Sequence, residues 1–349
     1  MNALNNIIKE DLDYIISQDL KWERFRNKTV FISGATGFLP AYLIYTFLYL
    51  NDKLNLDLKV IGLARNESKA KEKYSAELKR KDFLLLYQDV CESVNYNEKI
   101  DFIIHAASQA SPKFYGSDPV GTLNANVLGT NNLLHLAKKN YVESFLFFST
   151  SEVYGEVPDN QIPTKEDEFG YLDPANVRSC YGESKRLGET MCVSWMHQFN
   201  IPVKIVRPFH TYGPGMDLND GRVYADFISD IVHNRNIEMK SDGQAMRAFC
   251  YISDATVAFI MILLNGNNGE AYNAGNPQQE ISILNLAEKL VKMFPDKNLK
   301  VITQKNIDSG YLRSKVSRVC PDITKIGLLG WKPIISIETG FKKTIMSYA

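Results

Sequence analysis

The sequence predicts an α/β fold, a doubly wound parallel sheet with a smaller, mostly C-terminal α/β substrate lobe. Three observations carry this. Short β-rich runs alternate with helical patterns from residue 29 to beyond 200. A glycine turn, Gly34-Ala-Thr-Gly37, stands between the first such run and a long apolar helical stretch. Tyr181 and Lys185 lie four residues apart in a later helical stretch, so they share one face.

Taken in order, residues 3–25 set Ile7, Ile8, Leu12, Ile15, Ile16 and Leu20 at helical spacing, followed by Trp22 and Phe25. This is an amphipathic N-terminal extension (1–27), expected to pack on the body of the chain rather than on a partner. Thr29–Ser33 reads as a strand, Phe38–Leu50 as a buried helix and Lys59–Ala64 as a second strand. A charged helix over 66–80 follows, then strands at Phe83–Tyr87 and Phe102–His105, a helix at Val120–Lys139 and a strand at Ser144–Phe148. Residues 155–178, rich in Pro, Asp and Glu, read as a loop. A helix covers 180–198, and Val203–Val206 is a strand. Pro208–Asp220 has loop composition. Helices are expected at 223–234, 253–264, 282–293 and after Glu338, with a polar stretch over 235–250. Residues 28–206 are expected to form the parallel-sheet domain, a dinucleotide-binding one of Rossmann type if the glycine turn holds a ligand, and 207–349 a substrate lobe interwoven with it.

Formal net charge is zero over 349 residues, so bulk electrostatics give no case for nucleic acid or an anionic membrane as partner. The five cysteines, Cys91, Cys180, Cys192, Cys250 and Cys320, lack a paired spacing, which suits a reducing, cytoplasmic setting and gives no metal site. Lys9, Glu10, Asp11 and Asp13 interrupt any secretory leader, and Phe38–Leu50 is too short to span a bilayer.

Gly34 and Gly37 between strand and helix suit a pyrophosphate: glycine lets the backbone approach, and the helix N-terminus faces the negative charge. The third glycine of the usual pattern is replaced by Pro40, which fits a first helical turn. At the end of the second strand an acid would hold the ribose 2′-hydroxyl of NAD. Leu63-Ala64-Arg65-Asn66 has none, so NAD and NADP both stand as cofactors, with Arg65 either on a 2′-phosphate or stacked on adenine.

The strand at 144–148 delivers Ser149, Thr150, Ser151 and Glu152 at its C-terminal edge, where ligands bind in open α/β sheets. An ammonium at Lys185 is expected to lower the pKa of Tyr181, so that the phenol takes a proton from a sugar hydroxyl and later returns it. Thr150 can hydrogen-bond the same oxygen.

With Gly34-Ala-Thr-Gly, His105-Ala-Ala-Ser, Ser149-Thr-Ser-Glu-Val-Tyr-Gly155, Tyr181-Gly-Glu-Ser-Lys185 and Arg207-Pro-Phe-His-Thr-Tyr-Gly-Pro214 in this order, the chain resembles the extended short-chain dehydrogenase/reductases that epimerise, dehydrate or decarboxylate nucleotide sugars. Ser108-Gln-Ala-Ser-Pro112, Arg178-Ser-Cys-Tyr181, Asn219-Asp-Gly-Arg-Val223 and Arg247-Ala-Phe-Cys-Tyr-Ile-Ser-Asp254 make it most similar to the UDP-glucuronate decarboxylases. The resemblance implies a lyase serving polysaccharide biosynthesis, working as a homodimer on a nucleotide-diphosphate sugar. It implies Tyr181 as base with Lys185, Thr150, Ser151 and Glu152 about it. It puts the dinucleotide on Gly34, Thr36, Gly37, Phe38, Leu39 and Arg65, on Asp89 and Val90, on Ala106, Ala107 and Ser108, and on Asn126, Lys185 and Pro208. It puts the substrate on Ser111, His210, Tyr212, Arg222 and Arg247. The sequence departs from the decarboxylase pattern where Gly213-Pro-Gly215 lacks the usual arginine after proline, and where Arg65 replaces the acid. A nucleotide-sugar 4,6-dehydratase or 4-epimerase, and a catalytically silent dinucleotide-binding sensor, are the alternatives.

Overall fold

The computed structural model describes residues 5–303 and 316–348. Helix α1 (Asn6–Ile16) precedes strand β1 (Thr29–Ser33), helix α2 (Phe38–Leu54), β2 (Lys59–Ala64), α3 (Glu67–Lys73) and β3 (Phe83–Tyr87). Next come β4 (Phe102–His105), α4 (Pro112–Ser117), α5 (Pro119–Asn140), β5 (Ser144–Phe148), α6 (Cys180–Phe199), β6 (Val203–Pro208) and β7 (His210–Tyr212). The remainder comprises α7 (Val223–Val232), β8 (Ile237–Met239), β9 (Met246–Tyr251), α8 (Ile252–Asn265), β10 (Ala271–Ala274), β11 (Glu280–Ser282), α9 (Ile283–Met293), β12 (Val301–Thr303), β13 (Arg318–Val319), α10 (Thr324–Gly327) and α11 (Ile337–Met346).

Seven strands form one parallel sheet in the order β10-β6-β5-β4-β1-β2-β3. Central strands such as β1 and β5 are apolar and buried on both faces, as a parallel sheet covered by helices requires. Successive side chains serve opposite layers: Val30 and Ile32 join the core with α2 and α8, whereas Phe31 joins the one beneath α5 and α6. The seventh strand comes from beyond residue 206, so the two lobes are interleaved along the chain. In the C-terminal lobe, β9 pairs antiparallel with β11 and parallel with β7 and β13; β8 and β12 form a separate parallel pair.

Two expectations are corrected. The stretch 235–250 is not merely polar: it carries β8 and most of β9, whose pairing partners are far away in sequence. The helix expected over 66–80 ends at Lys73, and a 3-10 turn at Glu77–Lys79 completes the segment.

The N-terminal extension packs on the chain itself, with α1 against α2 and α8. Its Asp11, 1% exposed, accepts hydrogen bonds from Tyr251 Oη at 2.7 Å, Lys343 Nζ at 3.0 Å and Tyr42 Oη at 3.2 Å. Tyr14 Oη donates to Asp254 at 2.8 Å, and that carboxylate also accepts from the Ile334 and Ile335 N–H groups. Two buried carboxylates thus tie α1 and the C-terminal segment to α8. Asp11→Ala would leave two phenols without their acceptor and Lys343 with only the exposed Glu10, 3.3 Å away, and is expected to destabilise the chain by about 2–4 kcal/mol. An unchanged denaturation midpoint would show that water replaces these bonds.

Candidate active site

The site is built where β1 and β4 diverge at the C-terminal edge of the sheet. Gly34 has φ +73°, and a Cβ there would lie 2.7 Å from Ala107 Cα. Glycine is therefore required for the loop to rest against the end of β4. Beneath it, Ser33 Oγ accepts from the Ala106 and Ala107 N–H groups, both at 3.1 Å, and bonds His105 Nδ1 at 2.9 Å. Gly37 caps α2 with no side-chain hydrogen bond, leaving first-turn N–H groups for a ligand. Phe38 and Leu39 open α2, and Pro40 is buried in its first turn. The helix-to-strand contact usually granted by the third glycine is made through Gly62 of β2, where a Cβ would lie 3.0 Å from Ala35 Cβ and 3.5 Å from Ile44 Cδ1. On its far side the loop is held by α3 and its C-cap: Lys73 Nζ donates to Thr36 O at 3.3 Å and Tyr74 Oη to Ala35 O at 2.6 Å.

Along the edge, Arg65 Nη1 lies 3.6 Å from Asp89 Oδ2. Burial acts to raise the Asp89 pKa, but the Cys91 N–H bond at 2.9 Å and the Arg65 charge hold it below the usual value. Val90 is buried, and its carbonyl accepts from Asn132 Nδ2 at 3.0 Å. Two buried polar atoms here lack any partner: Ser108 Oγ and Asn126 Oδ1. Buried polar atoms are normally paired. Together with the bare glycine cradle, these atoms fit a dinucleotide lying across the edge.

Helix α6 brings Tyr181 and Lys185 beneath this edge, both buried. Lys185 Nζ donates to Phe148 O at 2.7 Å and lies 5.9 Å from the centre of the Tyr181 ring. Here an expectation fails. The Tyr181 phenol is not lowered; it is pushed up to about 12, by burial first and then by the Glu152 charge, against the Thr150 hydroxyl and Arg222. The ammonium is turned to the strand carbonyl instead of the phenol. Lys185 itself is pushed down to about 7 by burial. Behind it, Ser149 Oγ donates to Glu189, which also accepts from buried Arg207 at 2.6 and 2.9 Å.

Thr150 accepts from Glu152 N–H at 3.2 Å, which starts the 3-10 turn Ser151–Tyr154 and directs Glu152 to Arg178, 3.2 Å away. The Arg178 guanidinium lies 5.8 Å from the Tyr115 ring, which stacks on Tyr181 at 5.1 Å and 15°. Its Nε is buried without a partner. Arg178 and Tyr115 carried no assigned role in the sequence. Arg178 stood within a quoted motif; Tyr115, on α4, gave no signal.

Of the expected substrate residues, Ser111, Arg222 and His210 gather on the same side. Ser111 Oγ donates to Asp220 O; Arg222 pairs with the Asp220 carboxylate and donates to Ala110 O at 2.7 Å. His210 Nδ1 is buried without a partner, and burial, with Arg247 and Arg222, keeps the ring neutral. Arg247 donates to the carbonyls of Met246, Val316 and Ser317. Pro208, at the end of β6, pairs with Ala274. Tyr212 is a correction: it is packed in the C-terminal core, stacked on Phe341 at 3.9 Å with Tyr251 at 5.7 Å, and meets no cleft. Its position in β7, under α11, turns it inward. Among the described residues no group of three or more His, Cys, Asp or Glu could hold a metal, and no helix is long and apolar enough to cross a membrane.

Residues 30–275 match the NAD dependent epimerase/dehydratase family. The chain belongs to this family. UDP-glucuronic acid decarboxylase 1 of Xenopus tropicalis is 36% identical over 320 residues, 91% of this chain and 71% of that protein. UDP-glucuronic acid decarboxylase 5 of Arabidopsis thaliana is 35% identical over 318 residues, 90% of this chain and 87% of that protein. Among solved structures, UDP-glucuronic acid 4-epimerase from Bacillus cereus, in complex with UDP-glucuronic acid and NAD, has a TM-score of 0.76 at 23% identity, covering 92% of this chain and 98% of its own. The chain is thus an NAD-dependent nucleotide-sugar enzyme of the decarboxylase, dehydratase and epimerase type.

The Lys185 shift has a checkable consequence. A lysine whose pKa falls on folding takes up more protons unfolded than folded between about 7 and 10.5, so its burial destabilises the chain fully below pH 7 and progressively less above. Lys185→Met should raise the stability of the cofactor-free chain at pH 6, by up to about 5 kcal/mol. The gain should fade as pH rises from 7 toward 10. A gain equal at pH 6 and pH 10 in thermal melts would contradict the shift.

Proposed function

We propose that this family member decarboxylates UDP-glucuronate to UDP-xylose by transient oxidation at the sugar C4. One observation carries the proposal: decarboxylases are its relatives across nine tenths of the chain. When bound, the nicotinamide supplies a hydride acceptor and later returns the hydride. Gly34, Gly37, Ser108 and Asn126 would hold the dinucleotide, and Lys185 would reach its ribose. Thr150 orients the C4 hydroxyl, and Tyr181 takes its proton. The C4 ketone makes the C6 carboxylate a β-keto acid, which loses carbon dioxide; the electrons left at C5 are quenched by a proton. Tyr181 then returns its proton to the C4 oxygen. Arg222 and Arg247 are fork-shaped donors now turned to Asp220 and to backbone carbonyls, and would exchange some of those bonds for the diphosphate.

The same reading includes a homodimer joined through α5 and α6, supported by the exposed Val120, Leu123, Leu128, Leu187 and Val193 on those helices. Five unpaired cysteines support a reducing, cytoplasmic setting. The decisive experiment supplies UDP-glucuronate and either dinucleotide, and follows carbon dioxide and the sugar product. Carbon dioxide with UDP-xylose is expected, and Tyr181→Phe should slow it by about 10²–10⁴-fold. UDP-galacturonate without carbon dioxide would establish an epimerase instead. A stable 4-keto-6-deoxy product from a neutral hexose would establish a dehydratase. Turnover unchanged in Tyr181→Phe would remove this chemistry altogether.

A further inference from the structure

Three successive residues at the end of β5 are met by one stripe of α6. Lys185 Nζ donates to Phe148 O at 2.7 Å, Glu189 accepts from Ser149 Oγ, and the Thr150 hydroxyl acts on the Tyr181 phenol. Positions 181, 185 and 189 are four residues apart, so they follow one another along one face of the helix. Tyr181 and Lys185 have tasks in the proposed reaction. Glu189 has none.

Glu189 is fixed from behind. Its side chain is 12% exposed, and that of Arg207, 3% exposed, meets it through two N–H bonds, from Nε at 2.9 Å and from Nη2 at 2.6 Å. A fork of this kind sets the direction of a carboxylate as well as its distance. Arg207 is held in turn by Tyr154 Oη at 2.9 Å and Glu166 O at 2.8 Å. The Ser149 N–H donates to Val206 O at 2.8 Å, so the backbone and the side chain of Ser149 are both tied down. The carbonyl that Lys185 meets belongs to the residue just before it.

The charges around Lys185 single out the same residue. Its ammonium is buried on a neutral carbonyl, with the Phe147 ring at 5.0 Å. His105 of β4 faces it, and burial keeps that ring neutral. Cys192 of α6 faces it too, and burial keeps that thiol protonated. Arg207 of β6 is matched by Glu189, and Glu152 of the turn after β5 is drawn to Arg178. Among the described residues, Glu189 is therefore the carboxylate whose charge favours the ammonium.

We propose that Glu189 is a positioning residue of the reaction: clamped by Arg207, it steadies the Phe148–Ser149 strand end against Lys185 and supplies the negative charge that keeps this lysine an ammonium. The effect on turnover rests on the sugar-oxidation reading given above; the effect on Lys185 does not.

Titration of Lys185 in the full chain, followed by NMR of isotope-labelled lysine and assigned with Lys185→Met, tests this without sugar or dinucleotide. Glu189→Gln keeps the shape and an acceptor for Ser149 but removes the charge, and should lower the Lys185 midpoint by about one pH unit. That variant leaves Arg207 without a counter-charge, so the double variant Glu189→Gln/Arg207→Gln is measured beside it and should show the same fall. Glu189→Asp should keep most of the midpoint. A fall from about 7 to about 6 cuts the ammonium fraction about fivefold at pH 7 and about twofold at pH 6. With UDP-glucuronate, kcat should follow that pattern while KM stays within about twofold. A Lys185 midpoint unmoved in both variants would reduce Glu189 to a partner of Arg207 in the fold and overturn the proposal. A kcat loss of equal size at every pH would overturn it as well. A shifted midpoint in a chain that does not turn over UDP-glucuronate would support the assignment of Glu189 and remove only the choice of sugar.

Discussion

A methyl group at position 34 would come within 2.7 Å of the Ala107 backbone, and the rest of the site depends on that closeness. With β1 and β4 adjacent in the sheet, their C-terminal ends part in opposite directions and open a crevice. The Gly34–Gly37 loop floors one side and Ala106–Ser108 the other. Ser33 ties the two by accepting both amides of the second segment. The unsatisfied Ser108 and Asn126 oxygens lie along this crevice. Hydrogen bonds left unmade there and made nearly everywhere else mark a surface shaped for something outside the chain.

The reacting end is charged yet dry. Lys185 and Tyr181 are both buried, and the two pKa values are driven apart by loss of water: the amine down to about 7, the phenol up to about 12. Each group is held near neutrality of its own side chain, which is the unfavourable starting point for a base. The polar machinery behind them is fully paired: Arg207 with Glu189, Ser149 with Glu189, Tyr154 with Asn273. Rigid, satisfied groups therefore support a front layer that is not satisfied. A protein that was only optimising stability would exchange the two layers, because a buried ammonium bonded only to a neutral carbonyl lowers stability while the same charge on an anionic ligand is compensated.

Much of the sheet was legible in the sequence because its strands are mostly apolar runs of four to six residues, and Thr29–Ser33, Phe83–Tyr87, Phe102–His105 and Ser144–Phe148 begin and end where expected. The second half was harder. β8 and β9 lie in a polar-looking stretch, since what makes Met246–Tyr251 a strand is its pairing with β7, β11 and β13, which no local pattern contains. The same limit applies to side chains. A Tyr and a Lys one turn apart on a helix share a face, but spacing does not say whether the ammonium reaches the phenol or a strand carbonyl. Tyr212 read as a ligand contact because of its motif, whereas its inward direction follows from α11, more than a hundred residues later. Arg178 went unassigned because its interest lies in the buried Nε it leaves unbonded, and that is visible only once its neighbours are in place.

Glu152 and Arg178 close the argument about chemistry. The turn that Thr150 begins puts the Glu152 carboxylate beside Tyr181, where its charge resists deprotonation of the phenol. Arg178 draws that carboxylate to 3.2 Å and is itself spread over Tyr115, the ring stacked on Tyr181. An anionic group of a sugar bound in this corner would meet the same guanidinium and compete with Glu152 for it. A substrate carboxylate would then bring its own charge against Glu152, while a neutral hexose would leave the pair intact. If the proposed reaction holds, the choice between losing carbon dioxide and losing water would turn on this one shared cation, and the substituent at C6 of the sugar would set which carboxylate it meets.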